Sequence, residues 1–129
     1  MREPKGFTLI ELVLVITLLG ILAVVALPRL FNMTTGARTA ARDGVVGAVR
    51  SGVALFRAND LVQGGAGTFP ATLDVNADGG CATCFTNVLD QPLSDTRWTK
   101  AGLAYTYDDG DAGTANVTYT YVPATGAFQ

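Results

Sequence analysis

From Phe7 to Leu27 the chain runs through 21 residues of which only Thr8, Glu11, Thr17 and Gly20 are not apolar. As an α-helix such a run is roughly 31 Å long at ~1.5 Å per residue, which matches a hydrocarbon core of about 30 Å. It predicts a single membrane-spanning helix. An ordinary secretory signal carries its small-residue cleavage site on the far side of the apolar core. Here the small residue, Gly6, stands before the run, and nothing resembling Ala-x-Ala closes it. The run is therefore expected to stay on the mature protein. Arg2 and Lys5, in the polar stretch before it, hold that end on the cytoplasmic side. The C-terminal part then lies across the membrane.

The rest of the 129 residues suffices for one small domain besides this extended element. From Asn59 onward the chain is rich in Gly, Thr, Asn and Asp, as a water-facing segment should be. Its charges are split. Arg29, Arg38, Arg42, Arg50 and Arg57 stand against Asp43 alone. Beyond them Asp60, Asp74, Asp78, Asp90, Asp95, Asp108, Asp109 and Asp111 stand against Arg97 and Lys100. Such asymmetry points to a partner. An acidic head repels phosphates, so nucleic acid is not the expected one. The expectation is that basic stem residues such as Arg38, Arg42 and Arg50 meet the acidic head of a neighbouring copy. The chain has no histidine, which removes Ser-His-Asp and Cys-His catalysis and His-ligated zinc.

Glu11 is the anomaly of the apolar run. An ionised carboxylate there costs on the order of a few kcal/mol, less near a helix end. Two readings stand. Glu11, four residues past Phe7, snorkels to the headgroups, or it awaits a cation on another subunit.

The stretch Lys5-Gly6-Phe7-Thr8-Leu9-Ile10-Glu11-Leu12 closely resembles the leader junction of type IV prepilins and type II secretion pseudopilins. Gly20 and Pro28 fall at the spacings that family uses. The resemblance covers about the first 30 residues. It implies cleavage between Gly6 and Phe7 by prepilin peptidase and N-methylation of the new Phe7 amine by the same enzyme. It also implies that Glu11 pairs with the Phe7 amine of a neighbouring subunit. Pro28 lacks the donor for the carbonyl of Val24, so a kink or local break is expected there, with Gly20 weakening the turns before it, and the resemblance suggests that this stretch is unwound.

After Pro28 a helix should resume and run to about Asn59. Ala41, Val45, Ala48, Val49, Gly52, Val53 and Phe56 recur at its period. Gly44, Gly47 and Gly52 cost about 1 kcal/mol each in a helix, which favours close approach of another element there. Residues 64–95 form a long connector. From Arg97 the period becomes two. Leu103, Tyr105 and Tyr107, then Val117, Tyr119 and Tyr121, read as a hairpin around a turn at residues 108–114, and Phe128 starts a short last strand. The expected fold is α+β: a long N-terminal helix, or stalk, whose C-terminal half packs on a small antiparallel sheet, or head. The parts are a cleaved leader at 1–6, a membrane and filament-core helix at 7–31, and a head at 32–129.

Two small motifs lie in the connector. Cys81 and Cys84 face an oxidising compartment if the head is exported, which favours a structural disulfide over redox or metal chemistry. Asp74-Val-Asn76-Ala-Asp78-Gly79 matches the opening of a calcium loop, with alternate oxygens set to converge on one ion. The match fails at Phe85, where a bidentate Glu would stand, with Asp90 as a stand-in. Acid-rich turns are otherwise solvated loops.

The function expected is a structural subunit of a type IV pilus-like filament, first a type II secretion pseudopilin. The lean rests on the short head and on a Cys81–Cys84 bridge that encloses no large C-terminal loop. A type IV pilin, major or minor, for adhesion, motility or DNA uptake is the alternative. A membrane-anchored, non-polymerising binding protein is another. No nucleophile–base pair or phosphate loop supports an enzyme. The partners implied are copies of itself and related minor pilins, prepilin peptidase, the inner-membrane assembly platform, and lipid before assembly. The location implied is the inner membrane, single-pass, with the head periplasmic, and then a filament in the periplasm or at the cell surface.

Overall fold

The computed structural model describes residues 6–93, 95–110 and 115–129. Arg2, Lys5 and residues 111–114 of the expected hairpin turn lie outside them. The chain divides into two compact units, Met1–Ala37 and Arg38–Gln129. One helix, α1, spans Leu9–Val62.

In the first unit α1 is the whole of the described regular structure. It runs as α-helix through Gly20 and Pro28, without an unwound stretch. The missing Pro28 donor removes one bond from a long cooperative ladder, and the flanking turns carry on.

In the second unit α1 buries Val46, Val49 and Val53. This stripe differs from the expected one, because Ala41, Ala48 and Phe56 face solvent. Gly52 is where the close approach occurs: an added Cβ would collide with the carbonyl oxygen of Val88. Gly44 and Gly47 have open space around them. The helix ends three residues later than the sequence suggested. The N–H of Gly64 donates to Leu61 O at 3.1 Å and that of Gly65 to Asp60 O at 2.9 Å. This is a Schellman end, which closes the last open carbonyls. The Asp60 carboxylate then takes the N–H groups of Gly67 and Thr68 at 2.9 and 2.8 Å and turns the chain back.

The sheet has five antiparallel strands in sequence order: β1 (Gly79–Gly80), β2 (Trp98–Ala101), β3 (Ala104–Tyr107), β4 (Val117–Val122) and β5 (Ala127–Phe128). The expected three strands correspond to β3, β4 and β5. Leu103 belongs to a two-residue turn with Gly102, whose φ of 61° starts a hairpin matched to the sheet twist. That turn makes β2 a strand of its own.

Period-two alternation puts Trp98, Tyr105, Tyr107 and Tyr121 on one face, and all are buried. Phe85 sits among them, 4.7 Å from Tyr105, 5.7 Å from Trp98 and 5.9 Å from Phe128 between ring centroids. Its backbone is left-handed, φ 66°. That costs about 1–2 kcal/mol for a residue with a Cβ, which burial of a whole aromatic ring offsets. The tyrosines are thus packing residues of a core.

Candidate functional site

Two places hold the residues singled out by the sequence: the start of α1 and the connector.

At the start of α1, Thr8 and Glu11 close on each other. The Thr8 N–H and hydroxyl donate to Glu11 Oε2 at 2.9 and 2.8 Å, and the Glu11 N–H reaches Thr8 Oγ1 at 3.4 Å. This is a capping box, which satisfies helix N-terminal donors and holds a carboxylate against the positive end of the helix dipole. Its Thr-x-x-Glu signature is legible in the sequence, although the apolar run around it draws attention to the charge of Glu11 instead. Every bond Glu11 makes among the described residues is to Thr8, so no cation among them neutralises it. Phe7, Ile10, Glu11, Leu14 and Val15 line a shallow groove of about 320 Å³. Gly6 and Phe7 are both exposed, Phe7 at 93%.

Every side chain from Phe7 to Leu30 is exposed. The most apolar stretch of α1 has a mean hydropathy of 2.9 and is long enough to cross a membrane. Water-soluble monomers rarely leave a continuous apolar surface of this extent uncovered. The first unit therefore needs lipid or other helices around it.

In the connector the calcium expectation meets a different arrangement. Asp74 is buried, and a cation already stands beside it: Lys100 Nζ lies 2.7 Å from Asp74 Oδ1. The Tyr105 hydroxyl donates to Asp74 Oδ2 at 2.7 Å and the Asn76 N–H to Oδ1 at 3.0 Å. Lys100 also donates to the carbonyl of Asn76 at 2.6 Å. The Asn76 side chain closes on Thr83, and Asp78 accepts from the N–H of Gly102 at 2.8 Å. The three side chains point to three different partners rather than to one ion. Among the described residues no three acidic, Cys or His side chains gather as a metal site. In the structure the loop is held by an ion-pair brace. The physical reason is that the lone lysine of β2 supplies in covalent form the charge a bound ion would have supplied. Alternation with Trp98 puts Lys100 on the inward face of β2, opposite Tyr105, but nothing local marks Asp74 as its partner, so the pair cannot be read from the sequence.

Burial works to raise the Asp74 pKa, but the Lys100 ammonium, the Tyr105 hydroxyl and the Asn76 N–H outweigh it, so the carboxyl sits below the ordinary carboxylate value. Burial first, and then the bond to Asp74, push the Tyr105 hydroxyl well above the usual phenol range.

Cys81 and Cys84 form a disulfide, with Cα atoms 4.9 Å apart, and both are buried. It is a core staple and not an accessible redox pair. The Cys81 N–H donates to Trp98 O at 2.8 Å, which ties the bridge to β2.

The stem arginines make contacts within the chain. Arg38 donates to Asp109 O at 2.7 Å and Arg50 to Phe128 O at 2.9 Å. Arg42 lies 3.5 Å from the buried carboxylate of Asp109. Arg57 stacks over the Phe69 ring at 4.8 Å. These arginines fasten α1 to the sheet and loops of the second unit.

Comparison with known proteins adds two findings. The family model for the prokaryotic N-terminal methylation motif matches residues 1–27. The type IV narrow pilus major component PilA5 of Thermus thermophilus is 34% identical over 99 residues, which are 77% of this chain and 72% of that protein. No solved structure matches the chain.

Proposed function

The chain belongs to the type IV pilin family, and from that premise we propose that it is the repeating subunit of a type IV pilus, made in the inner membrane and polymerised outward. Its role in the family is structural and not enzymatic. The likeness to a protein named as a major pilus component carries the choice of pilus, and it displaces the pseudopilus reading. The matched stretch is a similar share of both proteins, so a short head is no argument against a pilus.

In this reading prepilin peptidase removes residues 1–6 and methylates the Phe7 amine. Phe7 and Gly6 are exposed, as a cleavage site must be. The apolar surface from Phe7 to Leu30 lies in lipid before assembly and against other copies after it. Glu11 reaches the Phe7 amine of a neighbour. Each charge alone is costly in hydrocarbon, and together they offset one another. The assembly platform and minor pilins are the other partners.

Imaging and intact mass of a sheared-filament fraction test the proposal together. Surface filaments built of this chain, starting at N-methyl-Phe7, are the expected result. A mature chain that retains residues 1–6, or material that forms no filaments, overturns it.

A further inference from the structure

Among the described residues nearly every charged side chain has a bonded partner within the chain. Asp43 and Asp109 have Arg42, and Asp74 has Lys100. Asp60, Asp78, Asp95 and Asp108 each take a backbone N–H. Arg38 and Arg50 hold carbonyls, Arg57 a ring, and Arg97 the Tyr107 hydroxyl. Two charges are left over, the cation Arg29 and the anion Asp90, and both are exposed.

Their surroundings match as well as their signs. Arg29 directly follows Pro28 at the end of the apolar run. Leu30 and Met33 follow at one and four positions, so on a helix the three side chains form one patch. Leu30 is 57% and Met33 69% exposed. Asp90 stands at an open groove of about 590 Å³, between α1 and the connector of the second unit, with Leu55, Phe56 and Val88 also in its lining. Leu55 is 70% exposed and Phe56 39%. An open helical filament needs two different, complementary patches on each copy.

We infer that this groove receives the Arg29–Met33 stretch of a second copy, with the guanidinium on Asp90 and Leu30 and Met33 against Leu55 and Phe56. The contact rests on the filament reading and names the surfaces that make it. Phosphate headgroups of lipid are the rival partner for Arg29, and they would leave Asp90 without a role.

The test uses the full chain in its own membrane, with filament yield and salt resistance as the readouts. Arg29→Glu and Asp90→Arg are made singly and together. Both sites are exposed, so the near-ultraviolet signal of Trp98 should be that of the parent in each. Like charges facing across a contact should cut yield about tenfold in each single variant, and the double swap should restore it to within about twofold. A double variant no better than either single one overturns the contact. So does a defect confined to Arg29→Glu, which assigns that residue to lipid. If the unaltered chain forms no filaments, the filament reading itself falls. If it does form them and the swap fails, only this contact falls.

Discussion

Two regions of this molecule are rich in large apolar side chains, and they treat them in opposite ways. Between Phe7 and Leu30 all of them face outward. Between Leu73 and Phe128 the largest, Trp98, Tyr105, Tyr107, Tyr121 and Phe85, are sealed from solvent. The difference lies in patterning more than in amount. A run that is apolar on every helical face has no inside of its own and is completed by its surroundings. Strands that alternate at period two, with one aromatic set to a face, make an inside from their own chain. The same polypeptide therefore carries one region stable alone and one stable only in company.

Substitutions should separate these regions by their effect on the melting of the head, followed through Trp98 in detergent-solubilised full chain. The largest shift belongs to the sealed core. Phe85→Ala empties the centre of the aromatic cluster and should cost about 3–5 kcal/mol, whereas Leu18→Ala in the outward-facing run should leave the transition in place. Equal shifts from the two would remove the contrast.

Next comes the ion-pair brace. Lys100→Met leaves a buried carboxylate without its cation and should cost about 3 kcal/mol, toward the low end for a broken buried pair because Tyr105 and Asn76 still bond it. The Asp74 pKa is depressed in the folded state. Its contribution is thus complete above the ordinary carboxylate range and is lost as pH falls through the folded value. The parent should lose stability in that acid window, and Lys100→Met should lose less. Millimolar calcium should move neither melting curve. A calcium-dependent rise would restore the ion-binding reading of Asp74, Asn76 and Asp78.

A smaller shift is expected at Gly52→Ala, about 1–3 kcal/mol, because the new methyl meets a main-chain carbonyl that cannot swing away. Gly47→Ala, in open space, should be neutral or slightly stabilising. The smallest shift of all should come from Glu11→Val. It should leave head melting unchanged while filament yield collapses. A lowered melting point there would place Glu11 in the stability of the head rather than in assembly.

What can be read from the residues divides along the same line. The long apolar helix rests on a continuous apolar run and the hairpin of β3 and β4 on a period-two pattern, which local sequence carries in full. The strand β2 is harder to see, because Trp98-Thr99-Lys100-Ala101 holds two residues that strands use sparingly. β1 is Gly79–Gly80, two residues with no side chains to form a pattern. The brace of Lys100, Asp74 and Tyr105 joins positions 26 and 31 residues apart. Pairings at that range are decided by the fold and leave no local trace. The calcium motif is the opposite case. Its spacing is local, but its side-chain oxygens bond to Lys100, Tyr105, Thr83 and Gly102 further along the chain.

The burial of Cys81 and Cys84 also sets an order of events. In the folded head both cysteines are sealed from solvent, so neither sulfur is within reach of an oxidant or a reductant. The bridge must therefore be made while the connector is still open. Folding then locks it in, and each folded head keeps that bond beyond the reach of whatever thiols it later meets.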